Sequence, residues 1–563
     1  MDRSCDVLVI GSGAAAFTAA LRAAAAGREV LMVEKEEVFG GASARSGGGV
    51  WVPLNNHARR GGIEDSRAAA ETYFRHQLGT RYDAAKVGAY LDHGPAMLDW
   101  VEAATSLRWQ VSMTFPDYHS DAPGASQGGR VLFPEAWDAG ELGAEIGRLR
   151  PVLRAARFMD MQIGVSEVPY YLTAARKPGS FLHVLKCMAL RARDQIRASR
   201  TLRLTSGNAL VGALAAAAFR NGVQLWTSAP ARELPSVGGR VAGAIVETAE
   251  GRKTIEARLG VVLATGGFPH DGARRSQVFR SGAHAAEVWG MLPYGNSGDG
   301  IRLAESVGGV FDDDKASPVA LTPLTALRSG EGRLETNPLF FNRGAPGVIS
   351  VRRNGQRFVN EALSYHDWGL ALLEAEGDEE EAVAWIVCDR RALRRYGLGA
   401  IKPAPFPYGH HIRSGYLKSG RTIEELAANA GIDPAGLKAT IETFNGPARE
   451  GKDPAFHRGS SAYQLANGDP DHKPNPCIGP VDRPPFFAVR AFAGCVATFA
   501  GLKTNEHAQV LGRDGAPIAG LYAAGNDMAS ITGGDYISGG CTLGPGMTFG
   551  YIAADHLLGR AAA

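Results

Sequence analysis

The chain has 563 residues, and its 60 lysines and arginines against 58 aspartates and glutamates leave a formal charge of +2. That length is too great for one compact core, so two or more domains are expected, and the near-neutral balance excludes a global field for gathering nucleic acid. Specificity must come from a site.

Cys5, Cys187, Cys388, Cys477, Cys495 and Cys541 are scattered without CxxC or metal-ligand spacing. Neither a disulfide scaffold nor a metal site is expected, and a reduced cytosolic compartment follows. The N-terminus runs almost directly into strand-like sequence without a signal-peptide pattern, and no run of about 18 uncharged apolar residues reads as a membrane span. The 72 glycines lie in short dispersed motifs, not in a low-complexity tract.

The first predicted element is CDVLVI, Cys5 to Ile10, a short β-branched run that suits a buried parallel strand. Gly11-Ser12-Gly13-Ala14-Ala15-Ala16 follows, then the helix-like FTAALRAAAAG and a second strand, REVLMVEK, with an acid, Glu34, near its end. A G-x-G-x-x-[GA] match alone is weak evidence. Strand before, helix after and an acid about 20 residues on are the context a dinucleotide fingerprint requires. Gly11 and Gly13 then let the backbone approach a pyrophosphate on the helix N-terminus, and Glu34 accepts from a ribose hydroxyl.

Phe39 to Trp51, FGGASARSGGGVW, is a second glycine- and serine-rich segment directly after that acid. NAD domains generally lack one and a flavin needs more backbone donors, so FAD is the expected cofactor. Further along, GVVLATGGFPHD (Gly260 to Asp271) and GLYAAGNDM (Gly520 to Met528) place small residues where chain must pass close to a cofactor. Near the C-terminus, GGDYISGGCTLGPGMTFGY (Gly533 to Tyr551) sets a tyrosine, a serine and many glycines before a helix-like stretch, which offers backbone N–H groups to a ligand.

Taken in order, VLVIGSGAAA, GGASARSGGG, LATGGF, GNSGDGIRLAESVGG, NGQRFVNE and GLYAAGN resemble the flavoprotein superfamily of soluble fumarate reductases and 3-ketosteroid dehydrogenases. The resemblance implies an α/β fold: a Rossmann-like FAD-binding domain built from N- and C-terminal segments, with an inserted α+β catalytic cap. The first segment would run over 1–325, the cap over 326–482 and the return over 483–563. The proline-rich PVALTPL and PNPCIGPVDRPPF near the cap edges suit hinges. The residues expected at a non-covalently bound FAD are Gly11, Gly13, Ala14, Ala15, Glu34, Lys35, Gly41, Ala42, Ser43, Ser46, Gly47, Gly48, Ala264, Thr265, Gly266, Asp299, Gly525, Asn526, Gly540, Thr542 and Leu543.

Fumarate-type members clamp carboxylates with arginines, whose planar fork donates bidentately. This chain has Tyr365 after NGQRFVNE and Tyr536-Ile537-Ser538-Gly539-Gly540 in the C-terminal loop, where that branch carries arginines. The ketosteroid branch carries tyrosines there. By that resemblance Tyr365 removes a proton next to a ketone, Tyr536 and the Gly540 N–H polarise the ketone, and Tyr118 in PDYHSDAPGASQGGR relays the proton. Δ1-dehydrogenases usually read Tyr-Pro-Gly in this loop, whereas Tyr-x-Ser resembles the Δ4-(5α) enzymes, so Ser538 is expected as a further donor at the ketone and the regiochemistry stays open. His366, His410, His411 and His472 match no family role and read as solvated loop histidines.

Arg148, Arg150, Arg154, Arg157, Arg176, Lys177, Lys186, Arg191, Arg193, Arg197, Arg200 and Arg203 lie among apolar residues in one segment. A helical subdomain with a solvated face is favoured over a surface that docks on a membrane. The expected function is an FAD-dependent oxidoreductase acting on CH–CH groups, introducing a double bond beside the ketone of a steroid-like substrate and passing electrons to an external acceptor such as a quinone. The rivals are an enone or fumarate-type reductase using the same flavin, and an electron-transfer flavoprotein with structural tyrosines.

Overall fold

The run Cys5 to Ile10 lies within strand Arg3–Ile10, where Val7 to Ile10 are all buried. A computed structural model describes residues 2–560 apart from 160, 175, 198–200, 280–289, 329–333, 341 and 378–381. Arg200, singled out above, lies outside the described residues.

Strand Arg3–Ile10 pairs in parallel with Val30–Val33 on one side and Gly251–Leu263 on the other, and Gln224–Trp226 and Pro517–Ala523 extend this parallel core outward. Strand Gly251–Leu263 divides its second edge between antiparallel Gly243–Thr248 and the C-terminal strand Pro517–Ala523. Both ends of the chain therefore build one sheet, as expected for a split Rossmann-like domain. Helix Ala14–Ala24 is alanine-rich and almost wholly buried, so its neighbours approach closely. A Cβ at Gly550 of helix Leu543–Leu557 would fall 2.5 Å from the Ala15 carbonyl oxygen, which is why that helix carries glycine there.

The insert is an antiparallel sheet in the order Leu334–Pro338, Val319–Arg328, Phe486–Thr498, Val383–Asp389, Val348–Val351, with Lys418–Gly420 beside one end of Phe486–Thr498. Its entering and leaving strands lie side by side, Val319 opposite Thr498 and Leu324 opposite Phe492. The sheet thus uses residues on both sides of the edges expected at 325/326 and 482/483.

Helix Pro178–Arg197 exposes Phe181, Leu182, Leu185 and Met188, the first two by 57% and 62%. Arg148, Arg150, Arg154, Lys177, Arg193 and Arg203 are in ion pairs, and the least exposed of these are Arg150 with Glu36 and Arg203 with Glu167. Among the described residues no helix is long and apolar enough to cross a membrane. All six cysteines are free and buried.

Candidate active site

An open cleft lies at the carboxyl ends of the parallel strands, bounded by the first turn of helix Ala14–Ala24 and the start of helix Leu543–Leu557. This is where an open parallel sheet places its ligands. Gly11 makes the entry turn at φ +114°, and a Cβ there would lie 2.1 Å from the Ala264 carbonyl oxygen. Gly13 caps the helix without a side chain, Ser43 Oγ accepts from the Ala14 N–H at 3.1 Å, and the remaining first-turn N–H groups are free to face an anion. Glu34 closes strand Val30–Val33, where the Ser12 hydroxyl and the Glu36 N–H both donate to its carboxylate; burial raises its pKa.

Every residue expected at FAD lines this cleft except Gly47, Gly48 and Gly540. Gly48 packs instead on backbone, since a Cβ there would lie 2.6 Å from Ser206 C. Lys35 and Asp299, both expected, form an ion pair across the cleft wall. Ser12, Glu36, Arg150 and Asn296 also line it. Ser12 and Asn296 stand inside glycine motifs and could have been named, whereas nothing local marks Arg150. Asp527, fully buried, accepts from the Thr265 N–H and hydroxyl and from the Gly267 N–H, and so ties the two glycine turns beneath the cleft. A helix N-terminus without a side-chain cap, a fixed carboxylate at the second strand and a cleft lined by many small residues fit the pyrophosphate, ribose and flavin ends of FAD.

Three predicted tyrosines converge beside this cleft. Tyr118 and Tyr536 stack with ring centroids 5.8 Å apart, and Tyr365 meets Tyr118 at 5.6 Å and Tyr536 at 4.9 Å. Tyr463, which no sequence motif marks, packs on Tyr118 at 4.6 Å. Burial is the largest influence on all four and pushes their pKa values up. Hydrogen bonding to Tyr365, the Thr542 side chain and the Gly540 backbone opposes it at Tyr536. Thr542 also lines the cleft, so one residue joins the tyrosines to the cofactor site.

Each tyrosine is held by its neighbours in sequence. Tyr365 opens helix Tyr365–Glu376, where Ser364 caps the Asp367 N–H at 3.1 Å. The preceding NGQRFVNE motif is structural: Arg357 and Arg458 both bind the buried Glu361, and Arg357 also binds Asp453. Tyr118 follows Asp117, a buried carboxylate that accepts from Trp51 Nε1 at 2.7 Å, Arg130 at 2.8 Å and the Ser126 N–H at 2.9 Å. The Ile537 carbonyl accepts from the Tyr118 N–H at 3.0 Å and the Tyr73 hydroxyl at 2.7 Å, which pins the C-terminal loop to this segment. Gly540 sits at φ +96° with its Cα against Gly49, where a Cβ would lie 2.5 Å from a carbonyl oxygen.

Ser538 makes no hydrogen bond to the tyrosine hydroxyls. It is fully buried beside the Asp117 carboxylate, and its hydroxyl has no partner in good hydrogen-bond geometry. His366 is not a solvated loop residue either: it is fully buried in the cap helix, Nδ1 accepts from the Leu321 N–H at 3.0 Å, and burial pushes its pKa down to about 4.

A polar group flanks the tyrosines. His119 Nε2 lies 3.3 Å from Asp367, and Nδ1 lies 3.7 Å from Asp535 and bonds Gln77. Burial opposes the imidazolium, but Asp367 and Asp535 prevail and push His119 up to about 9. Burial likewise raises Asp535 to about 6.

A family model described as FAD binding domain matches residues 6–543. The chain is 37% identical to 4-oxocyclohex-2-ene-1-carboxylate 5-dehydrogenase of Sinomonas cyclohexanicum, over 98% of this chain and 93% of the other. It is 36% identical to 3-oxosteroid 1-dehydrogenase of Mycobacterium tuberculosis, over 99% and 98%. Among solved structures, 3-ketosteroid delta1-dehydrogenase from Sterolibacterium denitrificans, in complex with 1,4-androstadiene-3,17-dione, superposes with a TM-score of 0.92 at 34% identity, covering 99% of this chain and all of that one. The chain therefore belongs to the FAD-binding flavoprotein family and is an FAD-dependent oxidoreductase of the branch that holds these dehydrogenases.

Proposed function

We propose that this oxidoreductase desaturates a ring ketone, taking a proton from the carbon beside the carbonyl and a hydride from the next carbon, with a 3-ketosteroid as substrate. The observation that carries the reading is the contact of Tyr118, Tyr365 and Tyr536 in one buried cluster joined to the cofactor cleft through Thr542. Tyr536 and the Gly540 N–H polarise the ketone oxygen, and Tyr365 takes the proton with Tyr118 sharing it. A donor aimed at a developing enolate is worth roughly 3 kcal/mol. FAD, held by Gly13, Ser43, Glu34 and their neighbours, supplies the hydride acceptor. The antiparallel insert serves as the catalytic cap. The ketosteroid relatives at 34% identity or more are 1-dehydrogenases, which supports the Δ1 over the Δ4 bond.

A second reading shares the chemistry and changes the size of the substrate. A relative of nearly equal identity is named for a single-ring oxo-carboxylate, so a small cyclohexanone acid belongs in the same assay. We place the enzyme in the cytoplasm, reoxidised by a quinone-type acceptor. The exposed Phe181, Leu182, Leu185 and Met188, with Lys177, Lys186 and Arg193 nearby, suit peripheral contact with an anionic membrane that holds an apolar substrate.

Anaerobic mixing with saturated 3-ketosteroids and 4-oxocyclohexanecarboxylate tests the reading. A dehydrogenase bleaches its flavin with one of them and yields the enone by mass spectrometry. Flavin that no ketone bleaches would overturn the proposal in favour of an electron carrier.

A further inference from the structure

Each of the three clustered tyrosines has a charged neighbour in sequence: His119 follows Tyr118, Asp367 stands two residues after Tyr365, and Asp535 precedes Tyr536. These neighbours meet one another as their tyrosines do. His119 Nε2 lies 3.3 Å from Asp367 Oδ2, and Nδ1 lies 3.7 Å from Asp535 Oδ2 and bonds the Gln77 side-chain oxygen. Both ring nitrogens thus face oxygen acceptors, and only the doubly protonated imidazolium donates from both. The three residues come from three parts of the fold: Asp367 from the first turn of the insert's helix Tyr365–Glu376, Asp535 from the C-terminal loop of the parallel-sheet domain, and His119 from the segment that lies against helix Arg67–Leu78. The Tyr73 hydroxyl of that helix accepts from the His119 N–H at 3.4 Å. The side chains of His119, Asp367 and Asp535 are 25%, 21% and 20% exposed, so the group exchanges its protons with water.

We propose that His119 is a positioning residue for the reaction: as an imidazolium it clasps Asp367 to Asp535 and so holds Tyr118, Tyr365 and Tyr536 at their working separations, which makes turnover depend on its positive charge. The helix that opens on Tyr365 is tied to the Tyr118 segment through the His119–Asp367 pair, and the loop that carries Tyr536 through the His119–Asp535 pair. One or two residues separate each charged group from its tyrosine, so a parting of the charges is passed to the rings. The titratable groups around the imidazole are Asp367 and His366 on the insert's helix, Asp535 on the loop, Asp117 on its own segment and Tyr73 on helix Arg67–Leu78. Burial raises Asp535 to about 6, and His119 keeps its proton up to about 9, so the clasp is complete between those values and opens above the second.

This inference rests on the reading of the three tyrosines as the reacting centre, and the experiment separates the two. Flavin reduction by a ketone that bleaches the wild-type enzyme is timed by stopped flow between about pH 6.5 and 10 in wild type and His119→Gln. Their rate ratio cancels the titration of the tyrosine base, which both enzymes share. At neutral pH the ratio should be roughly tenfold, as for a small misplacement of reacting groups, with FAD content and ketone affinity kept. It should shrink toward one as pH passes through about 9, where wild type loses the same charge. A ratio that stays constant with pH, or that is one throughout, would overturn the proposal and leave the group an ion pair for stability alone. If His119→Gln sheds its flavin, Asp535→Asn decides, because the proposal requires its ratio to exceed one at neutral pH and to shrink above about 9, and a constant ratio refutes it. A wild-type enzyme bleached by no ketone would overturn the underlying reading and this proposal with it, whereas a bleached one with a constant ratio overturns this proposal alone.

Discussion

The rings of Tyr365 and Tyr536 meet edge to face with centroids 4.9 Å apart, although one opens a helix of the antiparallel insert and the other stands in the C-terminal loop of the parallel-sheet domain. The two halves of the proposed chemistry, proton removal and ketone polarisation, thus reach one point only when insert and sheet are folded together. Tyr365→Phe should lower turnover by roughly a hundredfold or more, as for loss of a general base. FAD content and ketone affinity should stay near wild type, because only a hydroxyl is removed and the ring contacts remain. Stopped-flow flavin reduction with a parallel ketone titration checks it; near-normal turnover would place the base elsewhere.

The cofactor prediction follows from the turn at Gly13. The segment from Phe39 to Trp51 offers no histidine for covalent attachment, so acid precipitation should release intact FAD into the supernatant. A Cβ at Gly13 would already lie 3.3 Å from Ser43 Oγ, and a valine there adds two methyl groups at the helix N-terminus where the pyrophosphate sits. Gly13→Val should purify colourless with a normal circular dichroism spectrum.

Stability should depend on pH through His119. Its proton is held up to about 9 in the folded chain against an ordinary value of 6.5. The stabilisation is therefore complete below about 6.5 and lost as pH rises through about 9. Asp535, raised only to about 6, has finished titrating below that window. The melting temperature should fall between neutral pH and about 9.5, and His119→Gln should flatten that slope. A slope retained in His119→Gln would assign it to another group.

Fumarate should neither bind nor reoxidise the reduced flavin. Tyr365 and Tyr536 carry no positive charge in any protonation state, and Arg343, which holds the carbonyl two residues before Tyr365, has its Nη donors committed to the Leu339, Phe340 and Leu363 carbonyls. A dianion here would be left with its charges uncompensated, at several kcal/mol. Fumarate-driven oxidation of a reduced viologen dye would contradict this.

How much of this was legible in the sequence depended on distance along the chain. Gly11, Gly13 and Glu34 act within one strand, helix and strand, so local spacing sufficed. Tyr118, Tyr365 and Tyr536 come from distant segments, and resemblance alone grouped them. Tyr463, Arg343 and Asp117 stayed hidden because their significance is burial against residues far away in sequence, which no window around them encodes. His366 misled for the same reason: a histidine after a tyrosine reads as surface loop until the Leu321 N–H claims its ring. Gly47 and Gly48 do not line the cleft, and a Cβ at either would run into Val165 or into Ser206 and Gly207, packing that no local spacing encodes.

Ser538 is where sequence pattern and geometry lead to opposite experiments. The Tyr-x-Ser pattern makes its hydroxyl a third donor to the ketone, so that Ser538→Ala would shift the balance between Δ1 and Δ4 products. In the structure that hydroxyl is fully buried beside Asp117, whose carboxylate is already supplied by Trp51, Ser126 and Arg130. A buried hydroxyl without a well-formed bond costs about 1–3 kcal/mol of desolvation, so deleting it should leave stability unchanged or raise it slightly. Tyr536 and Gly540 keep their positions through the Ile537 carbonyl and the Gly49 contact, neither of which involves the serine side chain. Ser538→Ala is therefore expected to keep the wild-type rate and product ratio on a saturated 3-ketosteroid, read by mass spectrometry and NMR. A changed ratio in that variant would mean that the loop turns its hydroxyl toward the ketone when substrate binds.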